Sequence, residues 1–513
     1  MTDRQEPRSP AERQVRRAGT DDGTARPGLV LACVSLCTVL VVGFVASINL
    51  AVPQLAASTL HPSATQLLWI VDAYVILFAC LVIPAGALGD RIGRKGVLIC
   101  GLVLFAAGAI VSAAAGDVAV MLTGRAITGV GAAGVLPNAL AVLIHATVPA
   151  RRPHAIAVWA AMSGIGGVVG NVGGGAVLSA GSWRWLFIAV APIAVACALW
   201  VTVGTPRSSR HGRSVGPAAA ALLTLATLAL LLGITQGPEH GWASALVISS
   251  FVASVVLFTA WVVMELRAEH PLLDPRLFKI PALRAASLGM LIVFFGMFGF
   301  FYLNASLMQY GRDFTVLQAG LGVLPLTLPL IIGARYVPAL VARLGQRLVL
   351  SLAFLVIAIG IYGLATTLHR PYPAYAAWLV VVGIGITLSL PTLTAAIAGA
   401  VPREQAGVAG GLQSTTREFG SALGVAIIGT ILTSRFTHHL AHDASVVTAG
   451  GTPHSVAEAL AVAPGQHAAV IAAYTAGAET ALKAVAVLVL VVGALIVAEM
   501  TWAVRARTGR RPR

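Results

Sequence analysis

The sequence predicts an all-α polytopic membrane protein with fourteen transmembrane helices. Three observations predict it. Of the 513 residues, 58% are hydrophobic and only 10% are charged, where a soluble domain carries roughly 25% charged residues. The apolar residues gather into runs of about 18–25, the length that crosses a bilayer core as a helix. Barrel strands do not fit, because they would be about ten residues long with alternating polarity.

In chain order the spans fall near 29–51, 67–88, 97–115, 119–143, 154–180, 184–204 and 215–236, then 243–264, 284–306, 317–339, 348–366, 375–398, 407–433 and 479–503. Backbone groups in lipid are satisfied only within helices or closed barrels, so each run is a helix that packs on neighbours. The many Gly and Ala residues suit close helix–helix approach. Residues 1–28, rich in Arg, Asp, Glu and Thr, read as a disordered tail. They are too long and too acidic for the head of a signal peptide.

Cation placement sets the orientation. With the N-terminus inside, the outer segments hold Arg184, Arg312, Arg370, Arg435 and Lys483, and the spans hold Arg125 and Arg417. All the others of the 34 Lys and Arg residues lie inside. Both termini are therefore expected in the cytoplasm. This bias also explains the net charge of +15, which suits the headgroups of a lipid bilayer. No soluble domain presents a basic face, so no nucleic-acid partner is expected. The five cysteines, Cys33, Cys37, Cys80, Cys100 and Cys197, all fall in spans and read as small core residues.

One stretch asks for more than a tether. "GALGDRIGRKG", Gly86 to Gly96, joins spans 2 and 3 with an acid, three cations and four glycines. A positive-inside loop explains Arg91, Arg94 and Lys95, but not Asp90 or the spacing of Gly86 and Gly93. The loop between spans 10 and 11, "ARLGQR" (342–347), repeats the basic–apolar–Gly–x–basic spacing without the acid. The two copies sit eight spans apart. Two six-span halves with spans 7 and 8 inserted between them account for that offset, and internal repeats of this kind mark secondary transporters. The domains are then a tail (1–28), an N-terminal half (29–204) and a linker with two extra helices (205–283). A C-terminal half (284–503) and a basic tail (504–513) complete the chain.

These features resemble the major facilitator superfamily, and more closely its fourteen-helix drug/proton antiporter branch, which includes multidrug and quaternary-ammonium exporters. The resemblance covers nearly all of 29–503. Gly86, Leu88, Asp90, Arg91, Gly93, Arg94 and Lys95 match the family's loop motif between helices 2 and 3. "NLAVPQL" (49–55), "LLWIVDAYVI" (67–76) and "GRAITGVGAAGVLP" (124–137) match helices 1, 2 and 4. "GVVGNVGGG" (167–175) matches the helix-5 antiporter motif, and "GVAGGLQSTTREFGSALG" (407–424) matches helix 13. "WRWLFIAVAP" (183–192) and "HPLLDPRLF" (270–278) match as well. Two departures stand out. Phe44 occupies the usual helix-1 acidic position, and Asn171 replaces the proline usual after the helix-5 glycine.

The resemblance implies that the Asp90 loop gates the inner ends of the two halves. Asp90 would face a helix N-terminus, and Arg91 and Arg94 would pair with acids. Gly166, Gly170, Gly174 and Gly175 would form the antiporter glycine face. Ionisable residues inside spans are costly and therefore candidate sites. Asp72, about five residues into span 2, can receive a cation or a proton. Arg125 must find an acid or a carbonyl, and in the family it takes part in proton transfer. Glu418 lies near mid-membrane in span 13. Arg417 is its neighbour, but adjacent helical positions diverge by about 100°, so pairing between them is not required. With Phe44 in helix 1, Glu418 and Asp72 are the best available proton carriers.

The expected function is proton-coupled export of small lipophilic, often cationic compounds such as drugs, biocides or antibiotics, by a monomer in the bacterial inner membrane. The partners are then the small-molecule substrate, protons and lipid. Uptake by proton symport, and a non-transporting receptor or scaffold on the same architecture, are the alternatives. No enzyme activity, cofactor or metal is expected, and the proton gradient supplies the energy. "HHLAH" (438–442) lacks a supporting carboxylate or cysteine pattern, and no phosphate-binding loop of the ATPase type is present.

Overall fold

The computed structural model describes residues 27–56, 58–60, 62, 64–205, 216–269, 271, 273–401, 406–441, 453, 456, 459–460 and 463–508. The two tails therefore lie largely outside the described residues. So do Arg403 and Glu404 of the loop before the thirteenth span and His442 of the histidine stretch.

Fourteen helices are long and apolar enough to cross a membrane. We number them α1 (Pro27–Ala56), α2 (Ala64–Ile92), α3 (Arg94–Ala113), α4 (Val118–Ala146), α5 (Arg152–Ser179), α6 (Arg184–Gly204) and α7 (Pro217–His240). They continue as α8 (Ala245–Arg267), α9 (Pro281–Tyr310), α10 (Val316–Leu344), α11 (Gln346–Thr366), α12 (Tyr372–Ala400), α13 (Ala406–His439) and α14 (His467–Thr508).

Two differ from the sequence expectation. The tenth span is segmented, into Val316–Leu321, Leu324–Gly333 and Val337–Leu344 with a 3₁₀ turn at Ala334–Tyr336. Pro325, Pro329 and Pro338 remove backbone donors along this path and prevent one regular helix. α14 begins at His467, well before the expected 479, because Ala-rich sequence outside the apolar run sustains the helix. The connection between α13 and α14 is correspondingly shorter than the expected 434–478.

The packing repeats with an offset of eight helices. α1 lies on α5 as α9 lies on α13; α2 lies on α4 as α10 lies on α12. The pairs α3–α4, α3–α6 and α1–α6 recur as α11–α12, α11–α14 and α9–α14. The two related loops also share a backbone feature. Gly93 has φ 116° and Gly345 has φ 79°, each immediately before the next helix. This left-handed region explains the glycine common to both copies.

α7 packs against α2 and α13, so it covers one seam between the halves, while α8 rests mainly on α7. Leu231 of α7 is buried against Ile76, Ala79 and Cys80 of α2. At the opposite seam α5 meets α10 and α12. Four cysteines are buried as expected, but Cys100 is exposed on the bundle surface.

Candidate transport site

The seam is built from glycine-lined faces. Along α5, Gly166 faces Val39, Gly170 faces Gly43 and Gly174 faces Ser47 of α1, a match every four residues on both helices. A Cβ on Gly170 would lie 2.0 Å from the Gly43 carbonyl oxygen, so no side chain fits there. Gly175, on another face of α5, approaches Val316 and Leu317 of α10. α5 thus uses one glycine face within its own half and another across the seam. Asn171 leaves α5 unbroken from Arg152 to Ser179, and its side-chain amide donates to the Gly167 carbonyl at 2.9 Å. Proline at that position would have removed a backbone hydrogen bond.

On α13, Gly410 lies against Pro137 of α4 and Gly411 against Ile83 of α2. These contacts join the halves near the end that bears the Asp90 loop, whereas the Gly175 contact joins them at the other end. A cleft of about 200 Å³ opens on the Asp90 side, between Pro153 and Ala157 of α5, Val337 and Val341 of α10, and Pro391 and Ala395 of α12.

Arg125 is fully buried. Its Nε donates to the Ile70 carbonyl at 2.7 Å and its Nη2 to the Val71 carbonyl at 3.2 Å. Its guanidinium lies 5.2 Å from the Phe44 ring centroid and 4.8 Å from that of Tyr74. The aromatic ring in place of the usual helix-1 acid therefore meets the arginine directly, through a cation–π contact. Asp72, only partly exposed, follows directly on Val71, whose carbonyl accepts from Arg125.

Arg417 and Glu418 do pair. Nε and Nη2 of Arg417 each lie 2.8 Å from Glu418 Oε1, and both residues are buried. The long arginine side chain turns back across the divergence that adjacent helical positions impose. Its guanidinium also lies 5.4 Å from the Phe78 centroid and 5.8 Å from that of Phe294. Phe78 belongs to α2 and Phe294 to α9, so this pair touches both halves.

In the Asp90 loop, Arg94 Nε donates to Asp90 Oδ1 at 2.7 Å. Lys95 Nζ donates to the carbonyls of Thr202 and Thr205 at 2.9 and 2.6 Å, at the C-terminal end of α6. A lysine suits that end of a helix. Arg91 is exposed, and Gly86 is buried. Gly89, which sequence reasoning passed over, is the close approach of this segment: a Cβ there would overlap the side chain of Asn138 on α4. These contacts tie the loop to its own half.

Sequence reasoning also missed Ser163, Thr394, Gln413 and Ser414. With Arg417 they line a cavity of about 10 Å³ between α5, α9, α12 and α13, room for about one water. Uncharged polar residues inside apolar runs carry little signal on their own.

A family model described as Major Facilitator Superfamily matches residues 34–425. The chain belongs to that superfamily. It is a transporter rather than an enzyme. The methylenomycin A resistance protein of Streptomyces coelicolor is 30% identical over 406 residues, covering 77% of this chain and 85% of that protein. The cephamycin export protein CmcT of Amycolatopsis lactamdurans is 32% identical over 419 residues, covering 80% and 85%. Among solved structures, the human organic anion transporter MFSD10 aligns with a TM-score of 0.64 at 17% identity, over 92% of this chain and 100% of that one. That likeness is one of fold.

Proposed function

We propose that this protein exports small lipophilic compounds, of the drug or antibiotic kind, in exchange for protons across the bacterial inner membrane. Both termini are cytoplasmic and the protein works as a monomer. The relatives named for antibiotic resistance and export support the direction and the substrate class. The observation that carries the coupling is the buried Arg417–Glu418 pair, which touches both halves at their seam.

A buried carboxylate is tolerated while a cation neutralises it. Proton uptake by Glu418 cancels the charge that holds Arg417, frees the guanidinium to move between the Phe78 and Phe294 rings, and so changes the contact between the halves. Release of the proton restores the pair. Asp72, next in sequence to the Val71 whose carbonyl accepts from Arg125, is the second proton carrier. Loss of the usual helix-1 acid shifts the coupling onto these two sites.

The test uses everted membrane vesicles or proteoliposomes with an imposed pH gradient. Wild-type protein accumulates substrate and moves protons in the opposite direction. Glu418→Gln keeps shape and hydrogen bonding but carries no proton, so gradient-driven transport falls to background while substrate binding survives. Full gradient-driven transport in Glu418→Gln would place the coupling elsewhere, and co-directional movement of proton and substrate would make the protein a symporter.

A further inference from the structure

The small cavity between α5 and the α9, α12 and α13 group holds polar atoms that its own protein leaves unspent. Gln413 is buried, and its Nε2 donates to Thr394 Oγ1 at 3.1 Å. With its amide nitrogen turned to Thr394, Gln413 leaves its carbonyl oxygen for another donor. Among the described residues, Gln413 Oε1 has no hydrogen-bond partner, and neither has Ser163 Oγ on the facing helix. Trp159, one turn before Ser163 on the same face of α5, is buried with its indole N–H also unpaired. Buried polar atoms are almost always satisfied, so a cluster of exceptions calls for a ligand or water.

The remaining walls are apolar: Met290, Phe294 and Leu390. The one charged residue in the lining is Arg417, whose Nε and Nη2 are already taken up by Glu418. A permanent cation would meet the like charge of Arg417 and a carboxylate that is already bonded. An anion would compete with the Glu418 carboxylate for the one guanidinium. An uncharged donor and acceptor would meet only groups that are unspent.

We infer that this cavity, enlarged when the halves part, selects uncharged lipophilic compounds that carry a hydroxyl or amide N–H, through a hydrogen bond to Gln413 Oε1 backed by the hydroxyl of Ser163. This inference rests on the export reading for its route, since the cavity lies on the seam. It departs from the cationic preference that the resemblance to quaternary-ammonium exporters implied. Access comes from the 200 Å³ cleft, which lies about one helical turn away: Ala157 and Pro391 line the cleft, Ala160 and Leu390 the cavity.

Binding tests it separately from transport. The full chain in lipid nanodiscs is titrated with anthracenemethanol, with its methyl ether and with tetraphenylphosphonium, following anthracene fluorescence directly and the phosphonium by competition. The alcohol binds about tenfold more tightly than the ether, the expected value of one hydrogen bond to an otherwise unsatisfied buried acceptor. The phosphonium binds no better than the ether. Gln413→Leu brings alcohol and ether to similar affinity. Ser163→Ala, a smaller change that preserves packing, narrows the gap. Equal binding of alcohol and ether by the wild type, tighter binding of the phosphonium, no binding of any of the three, or discrimination unchanged in both variants would each overturn the inference. Alcohol-selective binding without gradient-driven flux in vesicles would sink the export reading and leave the inference standing.

Discussion

Single charged side chains in the N-terminal half are held by partners that a conservative replacement cannot supply. Arg125 divides its guanidinium between the carbonyls of Ile70 and Val71 and the faces of Phe44 and Tyr74. A lysine there keeps the charge but loses the planar fork. Arg125→Lys is expected to insert normally and to lose at least about tenfold in transport, since one charge-assisted bond is worth roughly 1.5–3 kcal/mol. Flux at matched expression measures this. Asp90 offers a parallel case, because its carboxylate accepts from the buried Arg94. Asp90→Ala should leave the protein in the membrane with transport greatly reduced, and Asp90→Glu should retain part of it. Near-wild-type flux in Asp90→Ala would remove the gating role. The need for a partner at Arg125 was legible in the sequence, because an arginine in lipid is costly. A carbonyl partner was legible too, but which carbonyls, and that two rings would join them, was not, since any buried backbone or aromatic face could serve. The Arg417–Glu418 pair was hidden for a different reason. Spacing on an ideal helix separates neighbours, and only the reach of the arginine side chain closes the gap.

Helices show more of themselves in sequence than single contacts do. Run length alone places all fourteen, because lipid penalises any polar interruption of about twenty residues. The segmented α10 was readable in principle from Pro325, Pro329 and Pro338, yet its apolar run looks continuous when only hydropathy is counted. The glycines of α5 were legible as a motif, but which glycine faces which helix was not. The contacts sort them: Gly170 is pressed on Gly43, while Gly173 faces open space. Gly170→Ala is therefore expected to push α5 from α1 and to destabilise the protein by about 1–3 kcal/mol, the usual cost of overpacking. Gly173→Ala should be neutral or slightly stabilising, because alanine favours the helix where nothing obstructs it. Thermal unfolding of the two variants in the same detergent compares them. Equal melting temperatures would mean that α1 and α5 do not pack as described.

At the scale of the whole molecule the two halves are joined unequally. One seam is covered by α7, while the other brings α5 against α10 with only glycine between the backbones. Transport by rocking requires these contacts to separate and re-form in each cycle. The Gly175 approach makes that requirement testable. A Cβ on Gly175 would lie 3.4 Å from the Leu317 Cα, which brings a cysteine pair within reach of disulfide geometry, with Cβ atoms about 3.5–4.5 Å apart. With the five native cysteines replaced, Gly175→Cys together with Leu317→Cys should cross-link on mild oxidation. The bond would hold this end of the seam closed and bring flux to background, and a reductant should restore it. Each single substitution should be insensitive to oxidant. The covered seam supplies the contrast, since α7 bridges α2 and α13 and can move with either of them. Cross-linking Leu231 of α7 to Ile76 of α2, as paired cysteines, should leave most of the flux intact. If the α5–α10 bond forms fully and transport continues, that end of the seam does not open during the cycle, and a rigid rocking of two six-helix halves is the wrong description of the motion.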